Sequence, residues 1–554
     1  MRLARSGQIA LALVFLLPAI GQAQLMLAGG SLPVCSSMSP EQCADLPEWP
    51  TDALRAHAFR VNADNLERWQ NSLDTGAQTA SGWIDLLQQI GETEALSRRE
   101  LTRRIQAARG ANLSGQQLLD QSDARAWSQL LDHLQEPVVD QREHVRLDDS
   151  KRRESVEIFR AFVAMAAERN GRERPLIAVS TASSRDPYDA LEFYLQVFAQ
   201  AGADVVWLPL DGAVRAARDA GQCNQLGKHQ AAVLGSWERA RVYPDLYAEQ
   251  TNFCRQPEAG SALMRQIDGL FLNGGDQSLT LQAFLTPDGH STPEHELLIQ
   301  RLHAGDLVLG GTSAGAAVQS GPVMISNGSS TRALLDGAVE RSPPPASCDR
   351  AGNCPAGLGG DSLTFRRGGL GSFEAGIVDT HFSERWRQFR LLQLLTQTGT
   401  GLGLGVDETT AVIAEQVFSS EQRPKLTTVG AGSAWLIDLG QIVVHDVIPL
   451  RLDQAMLHRM PNGARLIVNG TDKDSAQRNT SYHDASSSCE TAGQYASFSA
   501  LMDALPDQPT EPVCFDFELN DGYSARSMLV TNDPPAGSSG VQSWTWSLQV
   551  QTLF

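Results

Sequence analysis

The chain has 554 residues, and 64 Asp and Glu against 45 Lys and Arg leave a net charge of −19. Such a balance argues against nucleic-acid binding, which needs a basic face for the phosphates. It is compatible with a cationic substrate concentrated by a negative field, and equally with solubility alone.

The first 23 residues read as a secretory signal. Arg2 and Arg5 form a basic start, Ile9 to Ile20 is almost wholly apolar, and Gly21-Gln22-Ala23 supplies small residues, so cleavage is expected after Ala23. About twelve apolar residues at 1.5 Å each span roughly 18 Å, short of a bilayer core of about 30 Å, so the segment is no membrane anchor. No later apolar run is long enough to span a membrane, and a soluble mature protein, periplasmic or extracellular, is expected. The eight cysteines fall into near neighbours, Cys35 and Cys43, Cys223 and Cys254, Cys348 and Cys354, Cys489 and Cys514. Local pairing into disulfides is expected in an oxidising compartment. No CxxC or Cys/His cluster has zinc-ligand spacing, and neither metal nor cofactor is expected.

Next, Leu25-Met26-Leu27-Ala28 reads as a buried strand ending in the glycine turn Gly29-Gly30. From 44 to 150 the texture is helical: Leu66, Trp69, Leu73, Trp83, Leu86, Leu87 and Ile90 recur at helical spacing among polar residues. This stretch is expected to be an inserted domain or lid. From 151 short apolar runs alternate with amphipathic helices, at Leu176 to Val179, Val205 to Leu208, Ala231 to Leu234, Leu270 to Leu272, Leu307 to Leu309, Ile377-Val378 and Ala411 to Ala414. That pattern predicts an α/β core, a mostly parallel sheet with helices on both faces, built from 24–43 and 151–447. Ligands of such sheets bind at the carboxyl ends of the strands. The Gly-, Ser- and Pro-rich stretch 325–372 is expected to be a long loop near the site, and 448–554 a β-rich C-terminal extension.

The sharpest local signal is Leu307-Val308-Leu309-Gly310-Gly311-Thr312-Ser313-Ala314-Gly315. A strand running into Gly-x-Ser-x-Gly leaves a hydroxyl exposed above the sheet at the start of a helix, with the Ala314 amide free to stabilise an oxyanion. A nucleophilic serine needs a base. His381 follows the strand Ile377 to Thr380, and Asp407-Glu408 follows Leu402 to Val406, so both lie at strand ends as Ser313 does. His445, His458 and His483 are rival bases at the edge of the core or beyond it. Geometry rather than chain order defines a triad.

Together these segments resemble the S51 serine peptidases, and within them the cyanophycinases. The matching pieces are Gly310 to Ala316, Gly274-Gly275-Asp276-Gln277, Asp379-Thr380-His381-Phe382-Ser383-Glu384-Arg385-Trp386-Arg387-Gln388-Phe389-Arg390, and Gly403 to Ala411, with weaker echoes at Leu27 to Gly30 and Gly430 to Asp438. The likeness covers about 300 residues and leaves out the insertion and the tail. It implies a class I glutamine-amidotransferase-like fold, with Ser313 as nucleophile, His381 as general base then acid, and Glu408 orienting the imidazole. Gly275 and Ala314 become the oxyanion amides, and Gln277, Asp379, Arg385, Arg387 and Arg390 the substrate-binding residues. The implied substrate is cyanophycin, a polyaspartate with arginine on each side chain, released as β-aspartyl-arginine dipeptides. Guanidinium groups suit its free α-carboxylates. The family also implies a homodimer.

Alternatives remain open. Gln277 could brace its loop, Asp379 could hold a neighbouring arginine, and Asp407 could be the acid. Thr380 and Trp386 depart from common family residues and leave the substrate open to other aspartyl or isoaspartyl peptides. A catalytically inactive binding protein on this scaffold, or an unrelated esterase using His445 or a later histidine, are the further readings.

Overall fold

A computed structural model describes residues 24–73, 78–110, 124–345, 348–415, 424–440, 442–468, 490–491, 495–505, 512–519 and 523–552. The expected signal, 1–23, lies outside the described residues.

Two large sheets dominate. In the first, five strands run parallel in the spatial order Gln24–Ala28, Val308–Thr312, Gly269–Leu272, Leu176–Ser180, Asp204–Leu208. Beyond Gln24–Ala28 the sheet continues antiparallel through Thr410–Glu415, Lys425–Gly430 and Arg465–Ile467. The second sheet starts with the parallel pair Ile377–Thr380 and Leu402–Val406. It continues antiparallel through Ser433–Asp438, Leu450–Pro461, Gln542–Thr552, Tyr523–Asn532 and Val513–Glu518.

The α/β class stands, but the expected mostly parallel single sheet is corrected to mixed sheets, with Ile377–Thr380 and Leu402–Val406 in the second. An apolar run reports that a strand is buried; it carries no information on direction or partner. The corner 407–409 carries the chain from the second sheet into the first.

Side-chain alternation explains how the sheets meet. Leu25 and Leu27 face one apolar cluster, whereas Met26 and Ala28 face another with Phe159, Phe162, Phe198 and Phe271. The first cluster also takes Leu309 from the first sheet and Val378, Leu404, Val406, Ala434 and Leu436 from the second. One core therefore lies between the sheets and brings their strand ends together. The other face of the second sheet packs Ile377, Trp435 and Ile437 against Phe389, Leu391 and Leu395 of the helix Gln388–Thr398.

Helices Ala63–Asn71, Gln78–Ile90, Arg98–Gly110 and Ala124–Leu134 share a cluster of their own, with Trp69, Trp83, Leu87, Leu101 and Leu130 at its centre. Asp132 of the last helix accepts two hydrogen bonds from Arg185, at 2.7 and 3.0 Å, next to the first sheet. The stretch 325–372 is not the unstructured loop expected. It carries most of a three-stranded sheet, Val323–Asn327, Leu363–Arg367 and Ala338–Glu340, and the helix Ser330–Asp336. The disulfides Cys35–Cys43, Cys223–Cys254 and Cys348–Cys354 are formed. Cys514 is also disulfide-bonded, and its expected partner Cys489 lies outside the described residues. No helix among the described residues is long and apolar enough to cross a membrane.

Candidate active site

Ser313 follows the fully buried strand Val308–Thr312 and has φ 53°, ψ −116°, a strained turn that lifts its side chain off the sheet. Its amide donates to Ala28 O at 2.9 Å, tying the turn to the neighbouring strand. The flanking glycines are steric requirements: a Cβ on Gly311 would lie 2.1 Å from Gly315 O, and one on Gly315 2.2 Å from Leu272 O. The helix after Ser313 is only Ala314–Ala317, a single turn. The helix expected after the hydroxyl is present but too short for a sizeable dipole.

Ser313 Oγ lies 2.7 Å from His381 Nε2, and His381 Nδ1 lies 2.6 Å from Glu408 Oε1. Each of the three comes from the end of a different strand. His381 has φ 47°, and its amide donates to Gly29 O at 2.9 Å. Gly30, at φ 111°, lies flat under the imidazole, where a Cβ would come within 2.3 Å of Cε1. The Gly29-Gly30 turn is thus part of the site, although the sequence marks it only as a weak echo. Burial lowers the His381 pKa; Glu408 opposes that, Arg385 and Arg387 reinforce it, and the net value falls below 6.5. The Glu408 amide donates to Glu384 at 3.1 Å, and Glu384 is pushed up to about 7 by burial and by the nearby Asp407 and Glu408.

Asp407 has different work. Its carboxylate accepts the amides of Ser383 at 3.0 Å and Ser433 at 3.1 Å and the indole N–H of Trp435 at 3.1 Å. His445 pairs with Asp453 at 2.8 Å, and His458 with Ser543 at 2.8 Å; neither is the imidazole on Ser313. His483 lies outside the described residues.

A cleft of about 290 Å³ opens beside Ser313, lined by Gly275, Gln277, Ala314, Asp379, Arg385, Arg387 and Arg390 among others. The oxyanion and substrate-binding residues that the resemblance implies therefore gather beside Ser313 and His381, but several are already occupied. Asp379, buried, takes Arg390 Nε at 2.8 Å and Nη2 at 2.6 Å. Burial alone would raise its carboxyl, but the charge and hydrogen bonds of Arg390, with Arg387, hold it below the usual range. Arg390 spends a further N–H on Gly328 O at 2.5 Å. Gln277 Nε2 donates to Ile325 O at 2.7 Å. Arg387 gives one N–H to Thr380 O at 2.6 Å; burial and the adjacent Arg390 push it down to about 9, still cationic at neutral pH. Arg385 and Arg387 are the cleft cations not locked onto Asp379 by paired hydrogen bonds.

Sequence reasoning missed the wall formed by Ile325, Ser326, Asn327 and Gly328, because it read that stretch as loop. It also missed Tyr194. The buried Tyr194 hydroxyl pairs with the amide of Gly274 beneath the turn that carries Gly275, and burial pushes it up to about 12.

No family model matches the chain. It is 33% identical to the cyanophycinase of Geminocystis herdmanii over 214 residues, 36% of this chain and 63% of that one. The chain thus spans less than two thirds of that relative. It is 29% identical to the cyanophycinases of Trichormus variabilis and of a Nostoc species over 319 residues, 56% of this chain and 79% of each. A solved peptidase from an acI-B1 Actinobacterium aligns over 56% of this chain and 91% of its own at 16% identity and a TM-score of 0.30. Over the segments that bring Ser313, His381 and Glu408 into line, the chain is thus similar to several cyanophycinases at 29–33% identity.

Proposed function

We propose that this chain is a secreted serine exopeptidase that hydrolyses cyanophycin to β-aspartyl-arginine dipeptides on a glutamine-amidotransferase-like core, 24–43 and 151–447. The observation that carries the reading is the continuous contact from Ser313 Oγ through the His381 imidazole to Glu408.

In this reading Ser313 Oγ attacks the scissile carbonyl as its proton passes to His381 Nε2. The amides of Gly275 and Ala314 take the negative charge that develops on the carbonyl oxygen. His381 then gives its proton to the departing amine, and the C–N bond breaks to leave an acyl-enzyme. Water attacks that ester, His381 again accepts the proton, and returns it to Ser313. Glu408 accepts the Nδ1–H throughout, which holds Nε2 as the free base and stabilises the imidazolium. Arg385 and Arg387 provide guanidinium donors for the polymer's free α-carboxylates. Arg390 and Asp379 brace that arrangement, and Gln277 ties its loop to the cleft wall.

One observation favours a broader second reading, cleavage of β-aspartyl peptides generally. Asp379, one of the carboxylates lining the cleft, is committed to Arg390. The acidic partners left for a substrate guanidinium are fewer than the cations for its carboxylate.

The test is to add purified mature protein to turbid polymer and, in parallel, to a β-aspartyl peptide without arginine, and to weigh the products. Release of a dipeptide of aspartate and arginine supports the first reading; cleavage of the second substrate alone supports the other. No cleavage of either removes both. Export is tested by N-terminal sequencing of protein from the culture fluid, where the first residue should be Gln24. Sedimentation tests the homodimer.

A further inference from the structure

We infer that Trp386 is a positioning residue through which two C-terminal elements, the helix Phe498–Ala504 and the strand Val513–Glu518, set the direction of the two substrate-facing arginines on either side of it. This rests on the proposed function and assigns a role to elements outside the proposed catalytic core.

The turn after His381 is tightly wound: Arg385 N–H donates to His381 O at 3.2 Å, Trp386 N–H to Ser383 O at 3.2 Å, and Arg387 N–H to Phe382 O at 3.0 Å. At its end Trp386 has φ 51°, a conformation that a bulky side chain adopts only under constraint. The reversal there sends neighbouring side chains opposite ways. Arg385 and Arg387 line the cleft, whereas Trp386 is absent from its lining and turns to the second sheet.

There its ring lies 5.3 Å from that of Phe517, on the strand Val513–Glu518, and 6.2 Å from that of Phe498, which opens the helix Phe498–Ala504. The helix Phe498–Ala504 holds the turn by its backbone as well. Phe498 N–H donates to Ser383 O at 3.1 Å, while Ser383 N–H donates to Asp407 at 3.0 Å, so Ser383 is held from both sides. Ser330 Oγ donates to the Trp386 carbonyl from the other flank. Apolar burial of the indole thus compensates the unfavourable backbone angle, and that angle aims the guanidinium groups. Without the aromatic contacts the turn relaxes and Arg385 and Arg387 lose a shared direction, although Ser313, His381 and Glu408 keep theirs.

The test compares wild type, Trp386→Ala, Trp386→Phe and Phe517→Ala on the polymer. It also follows labelling of Ser313 by a small organophosphonate that carries no carboxylate. A mispositioned binding pair raises KM; Trp386→Ala and Phe517→Ala should raise it about tenfold or more, with kcat and labelling rate within about threefold of wild type. Trp386→Phe, which keeps a ring between Phe498 and Phe517, should restore most of the KM. A lower Tm in Trp386→Ala with unchanged KM would make the residue merely structural and overturn the inference. If Trp386→Ala does not fold, Phe517→Ala and Trp386→Phe decide by the same split. If wild-type protein is labelled but cleaves neither polymer nor β-aspartyl peptide, the functional reading fails and this inference falls with it. Activity in wild type with KM insensitive to all three substitutions sinks the inference alone.

Discussion

Asp407 and Glu408 are consecutive acids at one corner of the chain, yet Glu408 reaches the imidazole of His381 at 2.6 Å while Asp407 turns inward to Ser383, Ser433 and the Trp435 indole. One peptide bond separates an acid on the imidazole from an acid that ties strand ends of the second sheet together. Their substitutions should separate in the same way. Glu408→Gln should lower kcat by about 10⁴-fold with little change in Tm, as loss of the orienting carboxylate does in other triads. Asp407→Ala should leave buried donors unmet at about 1–3 kcal/mol each and lower Tm. Steady-state kinetics alongside thermal melts checks both, and the opposite pattern would exchange their roles.

Ser313→Ala and His381→Ala should each lower turnover by about 10⁴- to 10⁶-fold. His445→Ala should leave it within about twofold, because His445 is paired with Asp453 on another strand. A large loss in His445→Ala with full activity in His381→Ala would move the base to His445.

In the proposed mechanism the pH profile follows from His381, which must be neutral to accept the Ser313 proton. Burial lowers its pKa, so the acid limb of kcat/KM should be centred below the ordinary imidazole value of 6.5. Glu408 raises the value, so Glu408→Gln should move the remaining acid limb further down. A wild-type limb centred above pH 6.5 would contradict this.

Asp379 and Arg390 form a buried pair whose breakage leaves a guanidinium uncompensated. Asp379→Ala should cost about 3–5 kcal/mol in urea unfolding and should raise KM through the loosened cleft wall. The folded carboxyl lies below its ordinary 3.8, so its contribution is complete above that range and is lost as the pH falls through the folded value. The stability gap between wild type and Asp379→Asn should therefore narrow only below about pH 4.

Gly30→Ala places a Cβ 2.3 Å from His381 Cε1 at a backbone angle of φ 111°. The imidazole must shift, and kcat should fall about 100-fold or more, as an ångström's misplacement of a catalytic group does. Normal kcat in a folded Gly30→Ala would show that the close approach carries no catalytic weight.

Ser313 was legible because its surroundings are local: a buried strand, then small residues at two fixed offsets, each barred from a side chain by the backbone opposite. His381 and Glu408 were legible as strand-end residues and through the family motif, while the choice of Glu408 over Asp407 rested on resemblance alone. The helices between 63 and 134 showed in their period, and the near-neighbour cysteines suggested their pairs.

What sequence by itself determined is which segments bury themselves and where the chain turns, since hydrophobic period, small residues and turn chemistry act over a few positions. Only the tertiary structure decided that His381 and Glu408 stand on a second sheet, that Gly30 underlies the imidazole, that Asp379 is taken by Arg390, and that Trp386 faces Phe517. Those outcomes depend on strand direction and on contacts between residues far apart in the chain, and no short window of sequence contains the partner.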